Sequence, residues 1–277
     1  MTTSLIISIY KLQRELPLLL SAIAQQSQQP GEIIFAEDDV SAESIQILKE
    51  GSRRYPRLKM KLVQHEDRGF RKGEIVNKAV SIAENEKLIF LDGDCLPHED
   101  YVRSYSTLLE SGKLLNARPV YLETASRLSF VGSDSEYKRP SLLKIVRQAF
   151  RGAKYSIYLP IIPITQRNST MRGSSWACMK TDFLKVNGFD ERFCEAGYGY
   201  EGVDISHRLN RAGVLCYVPK YRVIYYHFGP PGTGLEKMES MEASKKILDE
   251  NDRKKLTFCA SGIDKWAGRV FPSWVSN

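Results

Sequence analysis

The sequence predicts an α/β fold in which a mostly parallel central sheet is flanked by helices. Two observations predict this class. Short apolar runs alternate with segments whose apolar residues have helical spacing, which is the pattern of a parallel sheet joined by crossover helices. Two of the apolar runs also end on carboxylates, at Glu37 to Asp39 and at Asp92 to Asp94, as expected where strands reach the carboxyl edge of an open sheet.

The predicted elements follow in order from the amino terminus. Apolar residues from Leu5 to Tyr10 predict a first strand, and Leu12 to Gln26 follows with apolar residues at helical spacing. The alternation then continues, with strands predicted at 32–39, 58–63 and 87–92 and helices at 41–54 and 72–84. Alternation of this kind places ligands at the carboxyl edge of the sheet.

Composition and charge narrow the class of protein. The chain has 277 residues, 42% of them hydrophobic, so it can bury one large core, and folds of this length often form a single domain. Its net charge of +7 indicates an anionic partner. The five cysteines are scattered along the chain without metal-ligand spacing, so we expect them to be reduced thiols. Because no basic region precedes the first apolar run and Tyr155 to Ile164 is too short to span a bilayer, we expect a cytoplasmic protein.

The run from Lys87 to Asp94 stops on two aspartates that one glycine separates. A strand that delivers two carboxylates to the edge of an open sheet builds a site for a hard divalent cation and a phosphorylated ligand. The same residues also suit an Asp-Gly turn at a strand end, with Asp94 as a helix cap. This stretch by itself leaves both interpretations open.

Motifs in a fixed order extend the pattern through most of the chain. They are Ser4 to Tyr10, Glu32 to Asp38, Gly69-Phe70-Arg71-Lys72 with Asn77, and Leu91-Asp92-Gly93-Asp94. A second group comprises Gly173 to Ala177, Val186 to Phe193, Gly197 to Glu201, and Asp204. The first group resembles the GT-A glycosyltransferases, specifically the large inverting family 2. The second resembles the acceptor half of that family, of the type shared with galactosyltransferases and chondroitin-type polymerases.

The resemblance, which runs from about Ser4 to His227, implies a GT-A fold within one domain at 1–277. Residues 1–120 would form the nucleotide-sugar half, 121–228 the acceptor half and 229–277 a C-terminal tail. The implied activity is transfer of a sugar from a nucleoside diphosphate sugar, with a UDP-sugar as donor, to a saccharide or lipid-linked acceptor. A single displacement would invert the configuration at the anomeric carbon.

The resemblance assigns residues to the donor nucleoside. Ser8 and Tyr10, at the end of the first strand, would line the nucleoside pocket. Asp38 would accept a hydrogen bond from the base, with uracil as the expected base. Asn77 belongs to the same set of motifs and is assigned to the nucleotide-sugar site.

The metal and the diphosphate have their own candidates by the same resemblance. Asp94 and His227 would hold Mn²⁺ or Mg²⁺, and Asp92 would reach the ribose or a water on the metal. Arg71 would be the cation for the diphosphate, with neighbouring Lys72 as an alternative for that role.

The catalytic base is where the sequence departs from the family pattern. Relatives usually carry Glu-Asp after the glycine-aromatic-glycine turn, with the aspartate as the base, whereas this chain has Glu201-Gly202-Val203-Asp204. Either Glu201 takes over, which we favour, or Asp204 serves from one helical turn further along. In a third interpretation both residues cap the helix that follows.

Two further features concern the acceptor and the membrane. Apolar and basic residues interleave at roughly helical spacing from Leu142 to Tyr155, a pattern typical of a helix in an anionic membrane surface or of an amphipathic helix on its own core. With the family resemblance, it suggests a peripheral protein on the inner face of the cell membrane that assembles a bacterial lipopolysaccharide or capsule. Trp176 and Tyr198 are aromatics suited either to stacking on sugar rings or to the core.

Two other classes of protein, an ATPase and a nucleic-acid-binding protein, are alternatives to a glycosyltransferase. Gly229 to Gly234 begins like the phosphate loop of an ATPase, but Leu235-Glu236 stands where that loop needs Lys followed by Ser or Thr. A glycine- and proline-rich turn that moves over the donor is the alternative. A basic nucleic-acid-binding protein is the second class, but acids at successive strand ends would repel phosphate, so we expect no nucleic-acid partner.

Overall fold

The computed structural model describes most of the chain as a large and a small β-sheet with helices packed around them. The described residues are 2–133, 136–161, 165–168, 170–171, 173–196, 199–229 and 235–276. None of the helices in this part of the chain reaches the length and apolarity that crossing a bilayer requires.

The amino-terminal part alternates strand and helix. Its elements are β1 (Thr3–Ile9), α1 (Leu16–Ala24), β2 (Glu32–Glu37), α2 (Ala42–Arg54), β3 (Met60–Gln64), α3 (Lys72–Ser81) and β4 (Lys87–Asp92). The four strands run parallel, with β1 between β2 and β4 and with β3 beyond β2. Their carboxyl ends therefore lie at one edge, where Asp38 follows β2 and Asp92 ends β4.

The rest of the chain completes both sheets. Its strands are β5 (Cys95–Pro97), β6 (Lys113–Asn116), β7 (Val120–Leu122), β8 (Ala149–Arg151), β9 (Thr165–Arg167), β10 (Ser175–Met179), β11 (Leu215–Pro219), β12 (Tyr225–Phe228) and β13 (Trp274–Val275). Its α-helices are α4 (Tyr101–Leu108), α5 (Leu142–Gln148), α6 (Lys180–Lys185), α7 (Arg192–Ala196), α8 (Glu201–Arg211) and α9 (Leu235–Arg253).

The strand order confirms the predicted α/β class with a mostly parallel sheet. Within the described residues the large sheet has nine strands in the order β13-β3-β2-β1-β4-β10-β6-β11-β9. Strands β1 to β4, β6 and β11 run in one direction, whereas β9, β10 and β13 run in the other. The smaller sheet has the order β5-β12-β7-β8 and joins segments that are far apart in the sequence.

Side-chain alternation along β1 divides the core into two layers. Leu5, Ile7 and Ile9 belong to one hydrophobic cluster, which includes residues of α1. Ile6 belongs to a second cluster, which includes residues of α3. Successive side chains of a strand point to opposite faces, so a continuous apolar run buries both sides of a parallel sheet.

Two predicted helices differ most from the observed ones. The first begins at Leu16 instead of Leu12, because Pro17 has no N–H and fits only the first turn of a helix. The helix predicted at 142–155 is wrong beyond Gln148, since Ala149–Arg151 pairs with β7 as a strand and Ala153–Ser156 is a 3₁₀ helix. Pairing with a neighbouring strand outweighs the apolar spacing there.

Candidate active site

The candidate site begins where β1 and β4 end side by side. Ser8 and Asp92 are register partners, and Ser8 Oγ donates a hydrogen bond of 2.8 Å to Asp92 Oδ1. The backbone N–H of Gly93 then donates to the Ser8 carbonyl at 2.8 Å. A Cβ at position 93 would lie 2.6 Å from Ile9 Cγ2, so only glycine permits this close approach.

The second aspartate meets a histidine from a distant part of the chain. Strand β5 pairs antiparallel with β12 and sets His227 opposite Cys95. His227 Nε2 lies 3.5 Å from Asp94 Oδ2, and the Cys95 thiol donates to Asp94 Oδ1 at 3.3 Å. The fold therefore brings together the two residues to which the sequence assigns the metal.

The residues present fit a divalent cation. Donor atoms of Asp94, Cys95 and His227 lie within 4.8 Å of one another. Burial raises the pKa of the Cys95 thiol well above its ordinary value, and sulfur is a softer donor than Mn²⁺ or Mg²⁺ prefers. Burial, and then the charge of Asp92, raise the pKa of Asp94, and a carboxylate in that state is stabilised by a nearby cation. Carboxylate oxygen with imidazole nitrogen suits Mn²⁺, whereas Mg²⁺ prefers oxygen ligands.

A second group of neighbouring donors, at 98–100, is used within the fold. His98 Nδ1 accepts from the backbone N–H of Asp100 at 3.1 Å, and Asp100 accepts from Ser27 Oγ at 2.5 Å. Burial lowers the pKa of His98 to about 4, so this imidazole is neutral. These contacts fix the segment that precedes α4.

Lys72 supplies the positive charge of the site. Its Nζ donates to Asp92 Oδ1 at 2.5 Å, and its charge also acts on Asp94 and Glu201. Burial alone would lower the pKa of Lys72, but these carboxylates outweigh it and raise that pKa. We refer to Lys72, Asp92, Asp94, Glu201 and His227 as the acidic cleft.

Glu201 is the first residue of α8 and is half-buried. Burial raises its pKa above the ordinary glutamate value, although the charge of Lys72 opposes that shift. Its Oε2 atom is buried and has no hydrogen-bond partner among the described residues. A carboxylate with a raised pKa and an available oxygen is suited to accept a proton.

Asp204, one turn further along α8, has a different environment. It is 1% exposed, and its Oδ2 accepts from Arg208 Nε at 2.7 Å while its Oδ1 accepts from Asn251 Nδ2 at 2.7 Å. Arg208 is itself fully buried. Both oxygens of Asp204 are thus engaged by a buried ion pair and an amide, whereas Glu201 has an oxygen without a partner among the described residues; the choice between the two as base stays a prediction, and this difference favours Glu201.

Asp38 follows β2, and β1 separates β2 from β4, whose end carries the acidic cleft. The Asp38 side chain has a fixed orientation. Its carboxylate accepts from His65 Nε2 at 2.6 Å and from the backbone N–H of Arg71 at 2.7 Å. Burial would lower the pKa of His65, but its hydrogen bonds with Asp38 and Glu74 outweigh burial and raise it. Asp38 is therefore held in place at the end of β2.

Tyr10 and Arg71 border this region. Tyr10 is 47% exposed just beyond β1. The Arg71 guanidinium donates to Glu74 Oε2 at 3.3 Å and to the Glu66 carbonyl. The assignment of Arg71 to the diphosphate stays a prediction, and Lys72, the alternative, is the cation that contacts Asp92.

Asn77 and Trp176 belong to the core. The fully buried Asn77 side chain donates to the Phe189 carbonyl and accepts from the Phe189 N–H, both at 2.9 Å. These contacts join α3 to the turn before α7, and the assignment of Asn77 to the nucleotide-sugar site stays a prediction. Trp176 is 2% exposed and stacks on Phe90 at 3.8 Å, so it does not reach a sugar.

Two predicted features lie outside the described residues: Tyr198, and all of the loop at 229–234 except Gly229. Two residues that the structure makes important were missed from the sequence. His65 directly follows β3 at the same sheet edge, and its polar character at that position was the available signal. Tyr121 packs its ring 5.1 Å from the His227 ring, a contact that depends on the pairing of β7 with β12 and leaves no local signal.

Comparisons with known proteins identify the same fold. The family model described as glycosyltransferase like family 2 matches residues 4–229. Residues 1–349 of TarS from S. aureus, solved in complex with UDP-GlcNAc, are 17% identical with a TM-score of 0.57, covering 84% of this chain and 60% of that chain. The mannosyltransferase PcManGT from Pyrobaculum calidifontis, in complex with GDP-Man and Mn²⁺, is 14% identical with a TM-score of 0.53, covering 80% of this chain and 56% of that chain.

At sequence identities of 17% and 14%, structural similarity is evidence for the fold alone. Together with the family match, it confirms the predicted GT-A fold. This chain spans 60% of the TarS chain that it matches. A search of curated proteins by sequence found no significant match.

Proposed function

The chain belongs to the glycosyltransferase-like family 2, and on this basis we propose that it transfers a sugar from a nucleoside diphosphate sugar to a saccharide or lipid-linked acceptor. The observation that carries the proposal is the acidic cleft, where side chains from β4, β12, α3 and α8 converge. Together they supply what the transfer requires: ligands for a cation, a positive charge for phosphate, and a base.

The donor binds across the ends of β1, β2 and β4. Asp38 faces the nucleoside and accepts a hydrogen bond from the base, while Ser8 and Asp92 lie at the ribose and diphosphate. Asp94 and His227 would hold a divalent cation, which would supply positive charge for the departing diphosphate. TarS in complex with UDP-GlcNAc favours UDP as the nucleotide, and the mannosyltransferase in complex with GDP-Man supplies the alternative.

Glu201 is the base. As the acceptor hydroxyl oxygen forms its bond to the anomeric carbon, the bond from that carbon to the diphosphate oxygen breaks and the hydroxyl proton moves to the Glu201 carboxylate. Lys72 keeps a positive charge beside Asp92 throughout the step. Attack from the face opposite the diphosphate inverts the configuration in one displacement.

The segment at 142–155 supports a membrane role. In α5, Ile145 is buried, but Leu142, Leu143 and Val146 are 49%, 61% and 41% exposed. A helix packed on its own core would bury most of these side chains. We therefore place the enzyme on the inner face of a bacterial cell membrane, where it would act in lipopolysaccharide or capsule assembly.

Removal of the second cleft aspartate tests the proposed function. Asp94→Ala should abolish Mn²⁺-dependent UDP binding while the fold survives, because the variant loses a carboxylate ligand of the cation beside the diphosphate. Calorimetric titration of UDP with Mn²⁺ and with EDTA measures the effect. Glu43→Ala, which removes an exposed acid on α2, is the matched control and should bind as wild type does. Unchanged UDP affinity and metal dependence in Asp94→Ala would refute the metal assignment.

The nucleoside contact has its own test. Asp38→Ala should weaken UDP binding by about 1–3 kcal/mol, because the base loses its hydrogen-bond acceptor, and should weaken GDP binding much less. Titration of both nucleotides with Mn²⁺ makes the comparison, and thermal melting controls for the lost contact with His65. Equal weakening toward UDP and GDP would remove Asp38 from the nucleoside pocket.

A further inference from the structure

A second candidate site adjoins the acidic cleft. It is a cavity of about 390 Å³ whose lining comes from β7, β8, β9, β11 and the segments that adjoin them. Four cationic side chains line it: Arg118, Arg151, Lys154 and Lys220. Across the residues that the structure describes, no Asp or Glu lines this cavity. We refer to it as the cationic pocket.

Three of the four charges of the cationic pocket have no carboxylate counter-charge among the described residues. In the described part of the chain, Arg151, Lys154 and Lys220 form no ion pair with a carboxylate. Two of them instead lie over aromatic rings, with Arg151 Cζ 5.8 Å from the ring centre of Tyr121 and Lys154 Nζ 5.4 Å from that of Tyr155. Like charges around one cavity repel one another, so a bound anion would stabilise the arrangement.

The local backbone holds these cations around the cavity. Tyr121 and Arg151 are register partners in β7 and β8. Gly152 follows with φ of +78°, and a Cβ there would lie 2.3 Å from the Pro119 carbonyl oxygen, so glycine is required at this turn. The turn leads into the 3₁₀ helix that carries Lys154 on the same wall.

Tyr121 stands between the cationic pocket and the acidic cleft. It lines the pocket, and its ring lies 5.1 Å from the His227 ring. In the large sheet, β2 and β11 lie on opposite sides of β4. Because Asp38 follows β2 and Val218 of β11 lines the pocket, the cationic pocket borders the cleft on the side away from the nucleoside.

We infer that the cationic pocket binds a phosphate group of the acceptor, which deepens the proposed function and rests on it. The acceptor is thus a saccharide that carries phosphate, either within its chain or as a lipid diphosphate. Several cations without a carboxylate suit a multiply charged phosphate better than a single carboxylate group. The cavity volume lies in the range of small-molecule sites, which leaves room for a sugar beside the phosphate.

Titration of inorganic pyrophosphate in EDTA tests this inference, because EDTA removes any cation from the acidic cleft. Lys154→Gln/Lys220→Gln removes two charges of the pocket, and Arg57→Gln/Lys59→Gln, the matched control, removes two exposed charges before β3. We expect the pocket variant to bind pyrophosphate at least about tenfold more weakly than wild type and the control. Equal affinities of the two double variants, or no binding by wild type, would overturn the inference.

Three further ligands distinguish the source of the phosphate under the same conditions. Tighter binding of farnesyl diphosphate than of pyrophosphate assigns the pocket to a lipid-linked acceptor. Tighter binding of glucose 1-phosphate, without a gain from the farnesyl chain, assigns it to a phosphate within the glycan. If methyl glucoside binds as well as glucose 1-phosphate does, the pocket does not recognise phosphate and the inference fails.

Donor binding separates this inference from the proposed function. Lys154→Gln/Lys220→Gln should retain Mn²⁺-dependent UDP binding, because that binding depends on the acidic cleft. If wild type binds pyrophosphate through the pocket but does not bind UDP, the proposed function fails and the anion site remains. If the pocket variant loses UDP and pyrophosphate together, the pocket is not a separate site.

Discussion

Glu201 and Asp204 lie one turn apart on α8 and have opposite surroundings. Glu201 belongs to the acidic cleft, where carboxylates outnumber the single lysine. Asp204 belongs to a buried network that consists of Asp190, Arg192, Asp204, Arg208 and Asn251. In the first region carboxylates remain underpaired, whereas in the second each carboxylate has a partner. Pairing, more than position in a motif, distinguishes an acid that can react from one that holds the fold.

The buried network shows what full pairing looks like. Arg192 donates to Asp190 from Nε and from its terminal nitrogen, the latter at 2.6 Å. Burial alone would raise the pKa of Asp190, but these contacts outweigh it and lower that pKa. Asn251 then bridges to Asp204 at 2.7 Å, which ties α9 to α8. Ionised carboxylates stabilise this region.

Glu201→Gln has the largest expected effect and sharpens the comparison most. The amide keeps the size of the side chain but cannot accept the proton, so turnover should fall by about a hundred-fold to ten-thousand-fold while UDP binding is retained. Steady-state kinetics with the donor sugar, together with UDP calorimetry, measures both quantities. Turnover near the wild-type rate would make Glu201 a positioning residue and place the base elsewhere.

Asp204→Asn should act on stability instead of chemistry. The substitution leaves the buried Arg208 guanidinium without its counter-charge, a change that costs about 3–5 kcal/mol. Chemical denaturation should detect this loss, and the folded fraction should retain turnover per molecule. If Asp204→Asn is as stable as wild type but inactive, Asp204 acts in the chemistry and the contrast drawn between the two acids is wrong.

The pH dependence of kcat/KM should show a smaller effect of the surroundings of Glu201 in the acidic cleft. Because burial raises the pKa of Glu201, this carboxylate is ionised, as a base must be, only above the usual glutamate range. The acid limb of the kcat/KM profile should therefore lie at higher pH than an ordinary glutamate would give. An acid limb at the ordinary glutamate pKa would show that Glu201 is not the titrating base.

The stability of the two regions should also respond to pH with opposite signs. A raised pKa in the folded state means that Glu201 contributes stability below its unfolded pKa and loses it as pH rises through the folded pKa. Glu201→Gln should therefore raise Tm at neutral pH. The lowered pKa of Asp190 means that its contribution is present above the unfolded pKa and is lost as pH falls through the folded pKa. Melting curves across the acid range compare the two.

Much of the fold was predictable from local pattern. Apolar runs and helical spacing predicted the first four strands and their helices, because each signal lies within one element. Ser8 and Asp92 could likewise be placed at one sheet edge, since both lie at the ends of parallel strands. The helix at 142–155 was wrong in its second half because a pairing partner outside the segment decided the conformation.

The sequence by itself determined the α/β class, the order of its motifs and the carboxylates at the strand ends, because strand and helix periodicities are local. Only the tertiary structure decided which charged side chains meet. Lys72 contacts Asp92, whereas the neighbouring Arg71 contacts Glu74 and the Glu66 carbonyl. The contact of His227 with Asp94, the burial of Asp204 and the cationic pocket depend on pairing and packing between distant segments, for which a local pattern holds no information.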